Sequence, residues 1–229
     1  HWIARWGQVN AVGGANTLVT NYNITYGPNF GSTITKKDLT IKALVQTKVY
    51  DGTNVANASA YNVTGLVGSE TISGVSLVYN NKSAGSNKTV VINNATAGAN
   101  TNLSNYNVLY ENSTTSTISK ANITNITGVT LSDKTYDGTT NASFNTSHAI
   151  FIGMAVGDDL SLSGGTGGFA SKNAGTNISV SVTNLTLGGN DSSNYNVVGG
   201  TPSFTGSANI TTKSLVVTAS AQNKTYDGT

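Results

Sequence analysis

The chain has 229 residues, of which only 10% are charged, and its formal net charge is +2. The twelve Lys and Arg residues form no run longer than Lys36-Lys37, which excludes the basic patches of proteins that bind nucleic acids or anionic membrane surfaces. The absence of Cys excludes disulfide bonds and thiolate metal sites, and no apolar run approaches the roughly 20 residues that a membrane-inserted helix needs.

Residues 1–39 are predicted to be the C-terminal part of a truncated repeat. Trp2 and Trp6 lie in the segment 1–8, which we interpret as a strand whose indole rings cover the core of that partial unit. The text from Tyr22 to Ile41 is strand-like on both sides of a turn at Gly27, Pro28 and Asn29, which predicts a β-hairpin.

A motif of the form Lys-x-Tyr-Asp-Gly-Thr then begins at Lys48, Lys134 and Lys224, with its tyrosines 86 and 90 residues apart. That spacing is the size of a domain and too long for one turn of a solenoid. The Asp-Gly pair predicts a tight turn, because Asp hydrogen-bonds its own backbone and Gly adopts positive φ. We therefore predict that the following residues form structural turns: Tyr50, Asp51, Gly52, Tyr136, Asp137, Gly138, Tyr226, Asp227 and Gly228.

A second motif, Asn-Tyr-Asn followed by an aliphatic residue, recurs with the same order and nearly the same period. Its tyrosines are Tyr22, Tyr106 and Tyr195, and an Ile-Thr-Lys or Ile-Ser-Lys motif follows each of them after a short interval, with one extra Thr in the last copy. The two periods predict complete repeats at residues 40–123 and 124–217, with the start of a further repeat at 218–229. No flexible linker separates the repeats.

Within each repeat, apolar and polar residues alternate, as at residues 75–79, 88–92 and 178–187. This period of two predicts half-buried strands, six or seven per repeat. Residues 106–123 and 195–217 are each predicted to form a β-hairpin. The fold class is therefore all-β, and we expect tandem small β-sandwich domains of the immunoglobulin-like type. A β-grasp module is the second possibility and a parallel β-helix the third.

These motifs together resemble the YDG and MBG repeat domains of large bacterial surface adhesins. The resemblance rests on Lys-x-Tyr-Asp-Gly-Thr, Ala-Gly-Ser/Thr at Ala84 and Ala174, Asn-Tyr-Asn and Ile-Thr-Lys, and it covers most of the chain. Such domains are found in proteins of the filamentous-haemagglutinin kind, which use two-partner secretion. The resemblance implies export to the bacterial surface, with an outer-membrane secretion partner for the parent protein.

Neither a catalytic nor a cofactor-binding pattern is present in the sequence. Most of the ten Asp and Glu residues lie in segments predicted to be turns. We interpret Gly157-Asp158-Asp159 as a solvated turn, because it lacks the regularly spaced acidic ligands of a Ca²⁺-binding loop. His148 is the single histidine after His1, and the sequence contains no Gly-x-Ser-x-Gly motif that would supply a serine nucleophile to act with it. We expect a protein that is not an enzyme and that uses no metal ion or cofactor.

Asn-x-Ser/Thr sequons are the one chemical signal above background. The chain contains 17 of them, against about 8 expected from its Asn, Ser and Thr content. Secreted repeats rich in β-turns use these residues everywhere, which is one explanation; N-glycosylation of exposed Asn is the other. The high-molecular-weight class of the resembled adhesins is known for such modification. The candidate sites are Asn57, Asn81, Asn87, Asn112, Asn122, Asn125, Asn141, Asn145 and Asn190. We expect exposed turn positions such as Asn112, Asn141 and Asn190 to be modified ahead of strand positions such as Asn62 and Asn184.

The sequence thus predicts a repeat segment of a surface adhesin that acts as a fibre spacer and adhesive display surface. The alternative is a lectin-like module whose loops contact host-cell glycans or glycoprotein receptors. Residues 151–168 are richer in Gly and aromatic residues than their counterpart, residues 62–74, which is compatible with either function.

Overall fold

The computed structural model describes residues 33–228 of the chain. The described residues from Lys37 onward belong to one compact unit, which contains both complete repeats. The predictions for Tyr22 and for the segment 1–32 fall outside the described residues. Regular structure in residues 33–228 is β-strand apart from two three-residue 3-10 helices, so the prediction of tandem all-β domains is confirmed. None of the helices in this part of the chain is long and apolar enough to cross a membrane.

The first repeat contains seven strands, β1 (Lys37–Ala43), β2 (Thr47–Val49), β3 (Tyr61–Thr64), β4 (Ile72–Tyr79), β5 (Gly85–Ala97), β6 (Tyr106–Glu111) and β7 (Ser113–Ser119), with a 3-10 helix at Leu103–Asn105. They form two sheets. In the three-stranded sheet β1 lies in the middle, antiparallel to β3 and parallel to β6. The other sheet has the order β2-β7-β5-β4, in which β2 and β7 are parallel and the remaining pairs antiparallel.

The second repeat is divided into shorter strands, β8 (Ala121–Ile123), β9 (Asn125–Thr127), β10 (Thr130–Leu131), β11 (Lys134–Thr135), β12 (Asn141–Ala142), β13 (Phe144–Asn145), β14 (Ile150–Ile152), β15 (Ser161–Phe169), β16 (Gly175–Gly188), β17 (Tyr195–Val197) and β18 (Phe204–Thr211), with a 3-10 helix at Ser192–Asn194. Its largest sheet has the order β11-β18-β16-β15-β12. β8 pairs with β17, β9 with β14, and β10 with β13.

The two repeats share one topology. β11 runs parallel to β18 as β2 runs parallel to β7, and β16 lies between β15 and β18 as β5 lies between β4 and β7. β8 and β9 together occupy the place of β1, because β8 is parallel to β17 and β9 is antiparallel to β14. The sequence repeat is therefore a repeat of strand order and direction.

Alternate residues of the strands form the core. Leu39 and Ile41 of β1 and Val90 of β5 are completely buried, and they belong to one apolar cluster although β1 and β5 lie in different sheets. Val180 and Val182 of β16 are completely buried in the same alternating way. Burial of one face of each strand is what the period of two in the sequence predicts.

The Ala-Gly-Ser/Thr motif forms a β-bulge at the start of the longest strand of each repeat. The pairing register shifts between Gly85 and Lys88, and again between Gly175 and Ile178. Asn87 (φ 54°) and Asn177 (φ 52°) lie within these bulges in the left-handed region, which Asn tolerates better than other residues with a side chain.

The hairpins predicted at residues 106–123 and 195–217 are wrong. β6 pairs with β1, whereas β7 pairs with β5 and β2, so the chain crosses from one sheet to the other between β6 and β7. Asn112 lies at the crossing, and its side-chain oxygen accepts a hydrogen bond of 3.0 Å from the backbone N–H of Ile92. In the second repeat β17 pairs with β8 and β18 with β16, so the same crossing occurs there.

One residue, Lys120, separates the last strand of the first repeat from the first strand of the second. β7 ends at Ser119 and β8 begins at Ala121. The backbone N–H of Tyr50 donates to the Ser119 carbonyl oxygen at 2.8 Å, so the end of β7 is bonded to the motif turn of its own repeat. This short connection brings that turn close to the second repeat.

Candidate functional site

The Lys-x-Tyr-Asp-Gly-Thr motif closes a turn around its lysine. Asp51 Oδ1 accepts hydrogen bonds from the backbone N–H and the hydroxyl of Thr53, both at 2.9 Å, while Gly52 takes a φ of 79°. Lys48 Nζ lies 2.7 Å from Asp51 Oδ1 and also donates to the carbonyl oxygens of Thr53 and Val55 at 3.0 and 3.1 Å. One ammonium group thus joins the strand before the turn to the chain that follows it.

The second repeat reproduces this turn. Lys134 Nζ lies 2.8 Å from Asp137 Oδ1 and 2.8 Å from the Thr139 carbonyl oxygen, and Gly138 has a φ of 81°. In the third copy Lys224 and Asp227 form an ion pair of 2.8 Å. The local geometry of the motif therefore comes from the motif residues themselves.

Charge and aromatic contacts stabilise the motif turns. Burial alone would raise the pKa of Asp51, but the hydrogen bonds from Lys48 and Thr53 outweigh it and lower that pKa. The Lys134 ammonium and the bonds from Thr139 hold the pKa of Asp137 well below its usual range. Lys48 Nζ also lies 5.7 Å from the ring centre of Tyr79, and in the second repeat Lys134 Nζ lies 5.6 Å from that of Phe169, which are cation–π distances.

The motif tyrosine of the first repeat reaches the second repeat and meets a buried carboxylate there. Tyr50 Oη donates to Asp158 Oδ2 at 2.8 Å, and Tyr195 Oη donates to the same oxygen at 2.6 Å. The two rings are edge to face, with centroids 5.4 Å apart, and each residue is 3% exposed. The Asp158 side chain is 1% exposed.

Further contacts surround this carboxylate. Lys82 Nζ, from the first repeat, lies 3.0 Å from Asp158 Oδ1 and 3.6 Å from Asp191 Oδ1. The backbone N–H of Ala84 donates to Asn194 Oδ1 at 2.9 Å. We call Tyr50, Lys82, Ala84, Asp158, Asp191, Asn194 and Tyr195 the junction cluster; three come from the first repeat and four from the second.

The hydrogen bonds of the junction cluster favour the ionised forms of Asp158 and Lys82. Burial favours the neutral acid at Asp158, but hydrogen bonds from Tyr195, Lys82 and Tyr50 outweigh it and lower the pKa of that carboxyl. Burial and the bond to Asp158 raise the pKa of the Tyr195 phenol to about 12, and the same two causes raise that of Tyr50. The bonds to Asp158 and Tyr50 raise the pKa of Lys82 above its usual range. The buried carboxylate is thus matched by one cation and two phenol donors, which offset the cost of removing it from water.

The first repeat carries the same acidic turn at the equivalent place. Glu70 N–H donates to the Val67 carbonyl oxygen at 3.2 Å, as Asp158 N–H donates to that of Ala155 at 3.3 Å. Tyr106 donates its hydroxyl to Glu70, as Tyr195 does to Asp158. The second motif, Asn-Tyr-Asn, therefore places a tyrosine that holds the acidic turn of its own repeat.

The structure brings together motif residues that are far apart in the sequence and separates equivalent copies of one motif. Tyr50 and Tyr195, 145 positions apart, are in contact, whereas Tyr136 is half-buried and Tyr226 is 92% exposed. The interpretation of Asp158 as part of a solvated turn is wrong, because the turn is covered by Tyr50 and Lys82 of the other repeat. The sequence does mark this acidic position, because Glu70 and Asp158 lie 88 residues apart, which is close to the repeat period.

All nine candidate glycosylation sites are exposed, whether in turns or strands. Asn112 and Asn190 lie between strands, but Asn141 lies in β12 and not in a turn. Asn62 and Asn184, which were expected to be less accessible, are exposed as well. Because strand side chains alternate, a sequon on the outer face of a sheet is as open to solvent as one in a turn. The strand and turn sites therefore do not differ in access.

A shallow groove of about 430 Å³ lies in the second repeat, between the end of β16, β17 and the loop that follows it. Its lining combines apolar side chains, including Leu187 and Pro202, with the polar side chains of Ser193 and Asn196. Tyr195 also borders the groove, but it is only 3% exposed because its ring packs in the junction cluster. A groove with a few hydroxyl and amide groups has the chemistry to hold a small polar ligand.

Four aspartates of residues 33–228 hold turns or strands together through hydrogen bonds. In residues 33–228 no group of three or more His, Asp and Glu residues is placed to hold a metal ion. Asp51 and Asp137 hold the motif turns and Asp158 the junction. Asp133 accepts bonds of 2.7 and 2.9 Å from the backbone and side chain of Asn209, which lower its pKa.

Comparison with known families gives a match over most of the chain. The family model described as the YDG domain matches twice, at residues 35–117 and 119–203. The matched ranges begin five residues before the repeats predicted at 40–123 and 124–217. No curated protein and no solved structure matches the chain. The first two motif turns and both sides of the junction cluster lie within the two matched ranges, and the third motif, at residues 224–229, lies outside them.

Proposed function

Because the chain belongs to the YDG domain family and contains two of its domains in tandem, we propose that it is a repeat segment of an exported bacterial surface adhesin. In this role the repeats form a spacer and display surface that holds a binding region away from the cell. The parent protein would reach the surface through an outer-membrane secretion partner.

The observation that carries this proposal is the junction between the repeats. A spacer transmits distance only if neighbouring repeats keep a fixed orientation, and a flexible linker would let them swivel. Here one residue connects β7 to β8, and Asp158 is held by donors from both repeats. Hydrogen bonds to a charged group contribute about 1.5–3 kcal/mol each. The junction is thus built to resist bending.

Surface composition also supports export. The chain has no Cys, which suits passage through a bacterial envelope in an unfolded state. The nine candidate sequons are exposed, and hexoses on their Asn side chains would keep a surface with few charges soluble and cover its strand edges. We include N-glycosylation in the proposal.

Immunogold labelling of intact source cells with antibodies raised against this chain tests the location. We expect label outside the outer membrane, at a distance that grows with the number of repeats in the parent protein. Label that appears only after the cells are permeabilised would contradict the proposal. Intact-mass spectra of the same native material test the glycosylation, which predicts additions in hexose-sized steps at strand and turn sequons alike.

Binding of host glycans is the second candidate function, and the groove lined by Ser193 and Asn196 favours it. Both side chains are exposed, and amide and hydroxyl groups bind the hydroxyl groups of sugars. A glycan array probed with the whole chain tests this function. Asn196→Ala should weaken any binding at the groove, whereas Asn107→Ala, at the matching position of the first repeat, should not. An equal loss of glycan binding in the two variants, or no binding by the unmodified chain, would show that the groove is not a glycan site.

A further inference from the structure

The residues on each side of the junction have equivalents in the other repeat. The junction cluster joins Tyr50, Lys82 and Ala84 of the first repeat to the acidic turn and 3-10 helix of the second. The repeat equivalents of the first three residues are Tyr136, Lys172 and Ala174, which we call the donor face. The equivalents of Asp158, Asn194 and Tyr195 are Glu70, Asn105 and Tyr106, which we call the acceptor face.

These equivalences rest on hydrogen bonds as well as on spacing. Asn105 N–H donates to the Asn102 carbonyl oxygen at 3.1 Å, and Asn194 N–H donates to that of Asp191 at 2.9 Å, so each Asn closes the 3-10 helix of its repeat. Ala84 and Ala174 begin the two β-bulges. The backbone therefore presents both sets of residues in the same local geometry.

Four of the six equivalent residues are more exposed than their counterparts in the junction, whereas Tyr106, at 4% exposed, is as buried as Tyr195. Asn194 is 4% exposed but Asn105 is exposed, and Tyr50 is 3% exposed whereas Tyr136 is half-buried. Lys82 is half-buried and its counterpart Lys172 is exposed. The donor face of the second repeat thus has the residue types that bind a carboxylate at the junction, presented to solvent.

The segment after β18 has the sequence and exposure of the first strand of a further repeat. Leu215 and Val217 are 86% and 82% exposed, and they follow the Ile-Thr-Thr-Lys motif as the buried Leu39 and Ile41 follow Ile-Thr-Lys-Lys. The third copy of Lys-x-Tyr-Asp-Gly-Thr comes next, at residues 224–229. Exposed apolar residues at alternate positions indicate a strand that would be buried against partner strands.

We propose that the donor face of Tyr136, Lys172 and Ala174 is the docking surface for a third YDG repeat in the same polypeptide, whose leading segment is residues 213–228. The third repeat would place the carboxylate of its acidic turn on Tyr136 and Lys172, and the Asn of its 3-10 helix on the Ala174 backbone N–H. The acceptor face of Glu70, Asn105 and Tyr106 would bind a preceding repeat in the same way.

The two faces differ from each other, so the contact is heterologous. A heterologous contact that does not close on itself extends an array by one repeat at a time, and each added repeat exposes the same donor face again. The proposal concerns how repeats join, and it holds whether or not the array is exported or binds glycans.

An extended chain tests the proposal. Residues 140–211 are added again after Thr229, so that the native segment 213–229 supplies the start of the third repeat and the second repeat's own sequence supplies the rest. Tyr136→Phe should shift the urea midpoint of the second repeat little in the original chain. In the extended chain the shift should be as large as the one that Tyr50→Phe causes at the existing junction, which is the matched control.

Three results would overturn the proposal. The Tyr136→Phe shift could be the same in both chains, which would show that nothing docks on the donor face. The amides of the added residues could lack protection from hydrogen exchange, which would show that residues 213–228 do not begin a repeat. Finally, the original chain could form concentration-dependent dimers that Tyr136→Phe weakens, which would assign the face to a second copy of the chain.

Discussion

The lysine of each motif does more than balance the charge of its aspartate. Lys48 Nζ also binds the backbone carbonyl oxygens of Thr53 and Val55, and its side chain is only 17% exposed. Water cannot fully replace an ammonium group at such a place, so its loss leaves partly buried acceptors without donors.

We expect Lys48→Met to lower the free energy of unfolding of the first repeat by about 1–3 kcal/mol, because charged hydrogen bonds are lost while apolar volume is kept. The matched control is Lys42→Met. Lys42 pairs with Glu111 at 3.3 Å, but both side chains are well exposed. The control should change stability by less than about 0.5 kcal/mol. Urea unfolding measures both variants, and equal effects would contradict the role given to Lys48.

Asp158 predicts an acid-sensitive junction. Its pKa is lower in the folded protein than in the unfolded chain, so the folded protein binds fewer protons there. The stabilisation is complete above the ordinary value of about 3.9 and is lost as the pH falls through the lowered value. We expect Asp158→Asn to be destabilising near neutral pH and to approach the wild type in relative stability as the pH falls through the lowered pKa of Asp158. Chemical unfolding at several pH values measures this, and a pH-independent difference would contradict it.

The role of Asp158 could not be predicted from sequence, although that of Asp51 could. The partners of Asp51 lie within a few positions of it, so local turn chemistry identifies them. Tyr50 and Lys82 lie 108 and 76 positions from Asp158, and only the packing of two repeats brings them together. The recurrence of an acidic residue at Glu70 and Asp158 indicates that this position is used in both repeats, but it does not indicate which residues the carboxylate contacts.

At the scale of the strands, β1 is fixed by close backbone contact with the turn that follows β3. A Cβ atom on Gly65 (φ 109°) would lie 2.3 Å from the Asp38 carbonyl oxygen, and one on Gly153 (φ 105°) would lie 2.3 Å from that of Asn122. β1 is bonded on both sides, to β3 and to β6, so it has little room to move away.

Gly65→Ala should therefore destabilise the first repeat by about 2–4 kcal/mol, from the clash together with the unfavourable φ. Gly68→Ala is the control, because Gly68 has a φ of 61° and no atom within 4 Å of its Cβ position. It should cost about 1 kcal/mol, the strain of the left-handed region alone. Thermal unfolding separates the two cases, and equal losses would show that β1 adjusts to the extra atom.

The strands were predictable from alternation, but their partners were not. Buried Leu39 and Ile41 follow directly from the period of two. The pairing of β1 with β6 joins residues 69 positions apart in parallel, and no turn motif marks such a pair in the sequence. The short distance in sequence between β6 and β7 predicted a hairpin. In the structure the chain instead crosses from one sheet to the other at Asn112, so the two strands do not pair.

At the scale of the whole described chain, the repeats are coupled through the motif turn of the first. A Cβ atom on Gly52 would lie 3.1 Å from Ala155 Cβ of the second repeat, whereas one on Gly138 would meet no atom within 4 Å. Both glycines have nearly the same φ. The pair therefore separates the local cost of the turn from the cost of disturbing the junction.

Gly138→Ala should destabilise the second repeat alone, by about 1–2 kcal/mol. Gly52→Ala should cost the first repeat at least as much and should also speed the hydrogen exchange of amides near Ala155 and Asp158. Hydrogen exchange resolved by residue measures the difference. If Gly52→Ala changes the exchange of the first repeat only, the repeats are not coupled through this turn.

The parallel pairing of β2 with β7 also determines how a repeat carries load. β2 is near the start of the first repeat and β7 is its last strand, and the two run side by side over Thr47–Val49. Tension applied to the two ends of the repeat pulls these strands in opposite directions along their length. Their hydrogen bonds, including the one from Tyr50 N–H to Ser119, are then sheared together instead of opening one after another. A tether built from such repeats would hold under a pulling force that would unzip an antiparallel hairpin.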